Sequence, residues 1–246
     1  MAVYYFSPTG TGRRVAKALV PEPIDLTRPD QRRNAPRPEA GELFTLVFPV
    51  HGQRVPGPLG DWLKGLPAVD APACVLCTYG SVSAGATLAE AAGLLARAGM
   101  TVTAAAALPG PHCYDCGETK HDLTGAGETD LAGAADFYRR VLAKEPKSPV
   151  HITPRWDAAR LLPVRLAPVR LGVPRPGVDQ TLCTQCGACQ AACPTGAAEH
   201  RTEDCVRCGA CVRACPTGAR KLRFRTQLVP WFLSKTIQKR QARFLI

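Results

Sequence analysis

Apolar residues in this chain gather into short runs set apart by polar turns rich in glycine and proline. Residues 2–6 (AVYYF), 43–50 (LFTLVFPV), 73–78 (ACVLCT) and 101–108 (TVTAAAAL) are the clearest of them. None alternates strictly between apolar and polar, which is the pattern of a strand buried on both faces of a parallel sheet. A brief further strand is expected at 24–27, ahead of a Pro/Arg-rich surface loop at 28–40. Between the runs lie stretches of helical composition: VAKALV, ending at Pro21; PLGDWLKGL; an alanine-rich segment reaching about Gly99; and residues 128–144. Strands alternating with helices predict an α/β fold, a doubly wound parallel sheet covered on both faces, with 101–108 as its last strand. Ligands of such sheets bind beyond the C-terminal ends of the strands, where the connecting loops gather.

The first of those loops carries chemistry. SPTGTGRR joins the first strand to the first helix, an arrangement that sets backbone N–H groups around a phosphate at a helix N-terminus. Ser7, Thr9 and Thr11 supply hydroxyls, and Gly10 and Gly12 allow close approach. Arg13 and Arg14 fall in the first helical turn, where cations oppose the macrodipole; either a bound anion relieves that conflict or both side chains are simply solvated. The loop is neither a Walker loop nor G-x-G-x-x-G. HGQRVPGP follows the third strand and TYGSVSAG the fourth. Trp62 lies on the apolar side of its short helix and reads as core.

Cysteine changes the picture more than anything else. CTQCGACQAACPTGA (183–197) and CVRCGACVRACPTGA (205–219) form an internal repeat with an offset of 22 residues and eleven identical positions. Each is C-x2-C-x2-C-x3-C-P, and over about forty residues the segment resembles the two-cluster bacterial ferredoxins, which hold cubane iron–sulfur clusters by this spacing. The resemblance implies that the fourth Cys of each run crosses to the other cluster. One [4Fe-4S] cluster would take Cys183, Cys186, Cys189 and Cys215, and the second Cys193, Cys205, Cys208 and Cys211. Gly187 and Gly209 permit tight turns between ligands, and Pro194 and Pro216 end the element after the crossing Cys. Structural zinc also uses C-x2-C pairs, but it gives no reason for a third Cys two residues on or for the proline. Of the other four Cys, Cys74 and Cys77 sit in a buried strand and face opposite sides of the sheet. Cys113 and Cys116 lie with His112, Tyr114 and His121 in a long loop, where a C-x2-C is a redox dithiol, half a metal site, or neither.

Charge divides the chain. Residues 1–149 hold 15 Lys+Arg and 15 Asp+Glu, whereas residues 150–246 hold 16 and 5, so the whole net +11 lies in the C-terminal part. An acidic protein partner or an anionic membrane surface suits that surplus. No nucleic-acid recognition motif accompanies it, and no nucleic acid is expected. Without an export signal or a stretch of about 20 apolar residues, the expectation is a reducing cytoplasm. Four segments follow: a domain at 1–145, a Pro/Arg-rich linker at 146–177, the cysteine-rich domain at 178–221, and a basic tail at 222–246. Pro230 is read as starting a helix, apolar at Trp231, Phe232, Leu233, Ile237 and Phe244 and cationic at Lys235, Lys239, Arg240 and Arg243. It docks on its own protein, lies peripherally on lipid, or grips a partner.

S-x-T-G-x at the first turn, with glycine-rich loops after the third and fourth strands, is similar to a short-chain flavodoxin over residues 1 to about 145. A flavodoxin ahead of a two-cluster ferredoxin, with HGQRVP, resembles the EFR-type flavodoxin–ferredoxin fusion proteins. The resemblance implies a flavodoxin-like domain binding FMN, its phosphate on Ser7, Pro8, Thr9, Gly10, Thr11 and Gly12. Flavodoxins usually have Thr or Ser at the sixth position, so Gly12 removes one hydroxyl. The flavin ring would lie between His51, Gly52, Gln53, Arg54, Val55 and the loop Thr78, Tyr79, Gly80, Ser81, Val82, Ser83, with Tyr79 as stacking candidate and His51 opposite. Clusters move electrons singly and a flavin takes one or two, so the expected function is electron transfer between redox partner proteins. The alternative is an FMN-dependent reductase of a small molecule fed by its own clusters.

Overall fold

A computed structural model describes residues 2–80, 83–115, 127–144, 148–153, 173, 175–200, 205–228, 230–231 and 241–246. The four apolar runs become parallel strands: β1 (Ala2–Tyr5), β3 (Phe44–Pro49), β4 (Ala71–Tyr79) and β5 (Met100–Pro109), with the short β2 (Ile24–Asp25) beside β1. The sheet runs β2-β1-β3-β4-β5-β8, where β8 is Arg243–Leu245. Strand order reverses between β1 and β3, which makes that crevice the switch point.

Helices cover both faces because the strands are apolar on both. On one face α3 (Gly57–Lys64) and α4 (Thr87–Arg97) pack Leu59, Trp62, Leu63, Leu88 and Leu95 onto Tyr4, Phe44, Leu46 and Val75. Trp62 is core, and its indole N–H donates to the Arg32 carbonyl at 3.0 Å. On the other face α1 (Thr11–Leu19) and α5 (Glu128–Ala143) place Val15, Ala16, Phe137 and Tyr138 against Val3, Val47 and Leu76. Cys74 joins this second cluster and Cys77 the first, on opposite faces as the two-residue period requires. Burial pushes both thiols up, Cys77 to about 12, so both are inert protonated hydrophobes.

Three expectations are corrected. Residues Pro29–Asn34, expected in a loop, form a helix, α2, with proline at its first turn and the Arg28 N–H donating to Gln31 Oε1 at 2.8 Å. Strand β5 is not the last of the sheet: β8 pairs with it antiparallel, Ala105 opposite Leu245 and Ala107 opposite Arg243. Phe244, expected on a helix, therefore lies in a strand, its ring 5.2 Å from Phe137, while Leu245 meets the opposite core. An unpaired β5 edge would expose backbone donors and acceptors, and β8 covers them. The Val150 N–H, donating to the Val102 carbonyl at 2.9 Å, meets the earlier part of β5. Residues 232–240 of the expected tail helix lie outside the described residues, as do 154–172 of the linker. Among the described residues no helix is long and apolar enough to cross a membrane.

Candidate redox sites

The first candidate site is the loop after β1. A chain of hydrogen bonds fixes it from below: the Tyr5 hydroxyl donates to Asp25 Oδ2 (2.7 Å), Asp25 Oδ1 accepts from the Thr27 N–H (2.7 Å), and Thr27 Oγ1 accepts from the Ser7 N–H (3.0 Å). Gly10 takes the left-handed conformation (φ 91) as the N-cap of α1 and brings no side-chain cap. The first-turn amides of Thr11, Gly12 and Arg13 have no carbonyl one turn earlier to accept them, as at any helix start. Ser7 Oγ is buried with no hydrogen-bond partner. Thr11 and Gly12 are buried, Pro8 and Thr9 half-buried, and Arg13 and Arg14 exposed. An orphaned hydroxyl beside an uncapped helix N-terminus suits an anion such as a phosphate.

Around this cradle the other loops gather, as expected. Gly110, after β5, would bring a Cβ within 3.1 Å of Thr11 Cγ2. The loop after β3 turns through Gln53 at φ 64, and its carbonyl accepts from the Ala86 N–H at 3.1 Å, joining it to the loop after β4. Glu90 on α4 grips the same turn, accepting from Arg54 Nε (2.8 Å), Arg54 Nη2 (2.6 Å) and the Val55 N–H (2.9 Å). Burial alone would raise the Glu90 carboxyl, but the Arg54 and Val55 donors outweigh it and hold it low. Glu90→Ala is expected to remove about 1–2 kcal/mol, because the Val55 amide also loses its acceptor. Denaturation midpoints, with protease cleavage within residues 51–55, check this.

His51 has a buried, unpartnered Nδ1, and burial pushes its imidazole down to about 4. The unfolded imidazole titrates near pH 6.5. Between about pH 6.5 and 4 the unfolded chain therefore binds the extra proton, and stability falls as pH drops through that window. Thermal midpoints at about pH 7 and 5 are expected to differ more in the native chain than in His51→Gln.

Tyr79, the expected stacking residue, is turned inward: it is 8 % exposed, and its hydroxyl donates to the Gln241 carbonyl (2.7 Å) and accepts the Gln241 N–H (3.1 Å). Thr78 is buried, Ser83 half-buried, and Ser81 and Val82 lie outside the described residues. Gly80 is overlain by His112, whose Cα would stand 2.5 Å from any Cβ added there. Cys113 begins a 3-10 turn (Cys113–Asp115), while Cys116 and His121 lie outside the described residues.

The second candidate site is the cysteine-rich part, and its backbone repeats as its sequence does. Gln185 and Arg207 (φ 56 and 55) and Gly187 and Gly209 (φ 74 and 73) share conformations at the offset of 22 residues. The two glycines cap matching helices, Ala188–Ala191 and Ala210–Arg213, so the crossing Cys of each run follows a short helix. Strands β6 (Gly177–Val178) and β7 (Arg220–Lys221) pair antiparallel and close the module, with Asp179 and Lys221 in an ion pair at 3.1 Å.

Cys193, Cys205, Cys208 and Cys211 line one cavity with Pro194 and Arg220. One sulfur comes from the first run and three from the second, the set implied by the crossing pattern. As free thiols, Cys208 and Cys211 are pushed up by burial, Cys211 to about 11. Metal loading must displace those protons. In the other set, Cys215 Sγ accepts the Arg220 N–H at 3.5 Å and lies 3.7 Å from Thr217 Oγ1, and the amide holds its thiol below the usual value. Cys193 has the matching contact with Thr195 Oγ1 at 3.6 Å. Hydrogen bonds to sulfur are a principal means by which a protein tunes cluster potentials.

Sequence reasoning missed Arg32. Its Nη1 donates to the Leu26 (2.9 Å) and Thr27 (2.7 Å) carbonyls and its Nη2 to the Pro194 carbonyl (3.0 Å), with the guanidinium over the Phe6 ring. No local pattern announces a contact between residues so far apart in the chain.

Residues 176–199 and 198–221 each match the family of 4Fe-4S binding domains. The C-terminal part is therefore a 4Fe-4S ferredoxin-type domain, behind a mostly parallel α/β sheet. Such domains indicate iron–sulfur electron transfer. No curated protein and no solved structure matches the chain.

Proposed function

We propose that the protein is an electron carrier that links two [4Fe-4S] clusters to a bound FMN. The observation that carries the cluster half is the single cavity lined by Cys193, Cys205, Cys208 and Cys211, drawn from both runs. In this reading Cys183, Cys186, Cys189 and Cys215 hold the companion cluster. The FMN half rests on the strand order β2-β1-β3-β4-β5, which is that of flavodoxin-like folds, and on the cradle at its switch point. Ser7 Oγ, unpartnered and buried, would donate to the phosphate, and the amides of Thr11 and Gly12 would complete its shell. The loops His51–Val55 and Thr78–Ser83 would flank the ring, with Glu90 and Arg54 fixing the first of them. The flavin, when bound, supplies the exchange between one- and two-electron chemistry. The protein fixes separation and excludes water, and its net positive C-terminal part suits an acidic redox partner.

Anaerobic reconstitution with quantification of iron, sulfide and flavin tests this. About eight irons per chain and one FMN are expected. Four irons or fewer would remove the two-cluster reading, and failure to bind FMN would remove the flavin reading.

A further inference from the structure

Two separate bridges run from the α/β domain to the ferredoxin-type domain, one ending beside Cys193 and the other on the short helix that carries Cys211. Arg32 is fixed at one end by the Leu26 and Thr27 carbonyls beside the anion cradle, and its other nitrogen reaches the carbonyl of Pro194, next to Cys193. The loop after β5 is the second bridge. Its His112 backbone lies on Gly80, where any larger residue would collide, and the His112 carbonyl accepts from Arg213 Nη2 at 3.3 Å. Two residues on, the Tyr114 ring meets Phe224, three residues past β7 of the ferredoxin-type domain, edge-on at 5.8 Å. Exposure at three of the eight thiols runs in the same sense: Cys193 and Cys208 are buried and Cys186 is exposed, the other five being intermediate, and Leu182 beside Cys183 is 44 % exposed.

From this placement we infer that the two cluster sites have fixed, unequal roles: the Cys193/Cys205/Cys208/Cys211 site is the inner one, facing the α/β domain, and the Cys183/Cys186/Cys189/Cys215 site is the outer one, facing redox partners. Arg32, His112 and Tyr114 are the positioning residues that couple the inner site to the α/β domain. The inference rests on the cluster reading above. Electron tunnelling falls steeply with distance and is aided by bonded paths. Residues 112–114 give such a path, from the Gly80 contact to the His112 carbonyl and its Arg213 partner, two residues past Cys211. With clusters held by the two Cys sets, each passage would move one electron, reducing the inner group as the outer is reoxidised, with no bond made or broken. The electron comes from an external one-electron reductant.

The test uses the full chain, reconstituted anaerobically, as the single-site variants Cys186→Ala and Cys208→Ala. Tyr114→Leu is added to each. In the Cys186→Ala background it is expected to shift the EPR g-values and reduction potential of the remaining cluster; in the Cys208→Ala background it leaves them unmoved. The reverse pattern, a shift in both or a shift in neither overturns the assignment. A purely structural role for Tyr114 would not single out one cluster. Should Cys208→Ala load no iron, the two-cluster chain is used instead. Arg32→Gln and Tyr114→Leu must then each move the signal that survives in Cys186→Ala, and movement of the other signal sinks the inference. With FMN added and reduced viologen as donor, flavin reduction is expected to slow far more in Cys208→Ala than in Cys186→Ala, and equal slowing counts against the inference. If no FMN binds, the flavin reading fails, while the EPR comparison still decides which site is inner.

Discussion

Chelating iron from the intact chain is expected to unfold residues 176–221 and leave the α/β sheet standing. The ferredoxin-type domain has little else to hold it. Among its described residues the buried apolar ones are small or few: Ala197, Ala210 and Ala219, with Leu222 just beyond, beside the two buried thiols. Its helices are four residues long and its sheet is two strands of two residues, far below the lengths at which such elements persist alone. Metal–thiolate bonds must then provide the folding energy, as in other small metal-stapled modules. The α/β sheet, by contrast, has six strands and a core on each face. Limited proteolysis before and after anaerobic chelation reads the difference, with far-UV circular dichroism as a second probe. Protease resistance across 176–221 in the iron-free chain would show that the thiols are not what holds this domain.

Ser7→Ala is expected to have opposite effects on two measurements. Without a ligand, Ser7 Oγ is a buried hydroxyl with no partner, a situation that costs about 1–3 kcal/mol. Removing it should raise the thermal midpoint of the FMN-free chain. If the hydroxyl exists to meet a phosphate, the same substitution should weaken FMN binding by about tenfold, the loss of one hydrogen bond to a charged group. Flavin fluorescence titration beside thermal melts checks both signs. A lowered midpoint with unchanged affinity would mean that Ser7 is an ordinary structural residue and that the anion cradle lies elsewhere.

The parts of the molecule that were legible in the sequence are those whose cause is local. Buried parallel strands read as apolar runs, so LFTLVFPV and ACVLCT marked β3 and β4 to within a few residues. The cluster loops were legible because each glycine and cysteine sits at a spacing dictated by local turns, and the paired φ values repeat at the offset of the sequence repeat. What was missed is nonlocal. ARFLI is a short, largely apolar run, but the cationic residues before it suggested a helix, and only the open edge of β5 turns Arg243–Leu245 into a strand. Alanines 104–107, although the best helix formers, lie inside a sheet as the apolar run 101–108 had indicated. Tyr79 read as a stacking candidate from its loop position, whereas its ring joins the core and its hydroxyl meets Gln241. The Arg32–Pro194 contact depends on how two domains meet, and that of His112 with Gly80 on how two loops of one domain meet, which no window of residues encodes.

The return of β8 to the sheet has a mechanical consequence. The polypeptide leaves the edge of β5 near Val150 and comes back to that edge at Arg243, so the iron-binding module hangs from both ends on one support. A module held by a single tether sweeps a wide volume, whereas double suspension keeps its local concentration at the sheet high. A single break in the polypeptide between Ile152 and Gly177 would therefore leave the module attached through its other end.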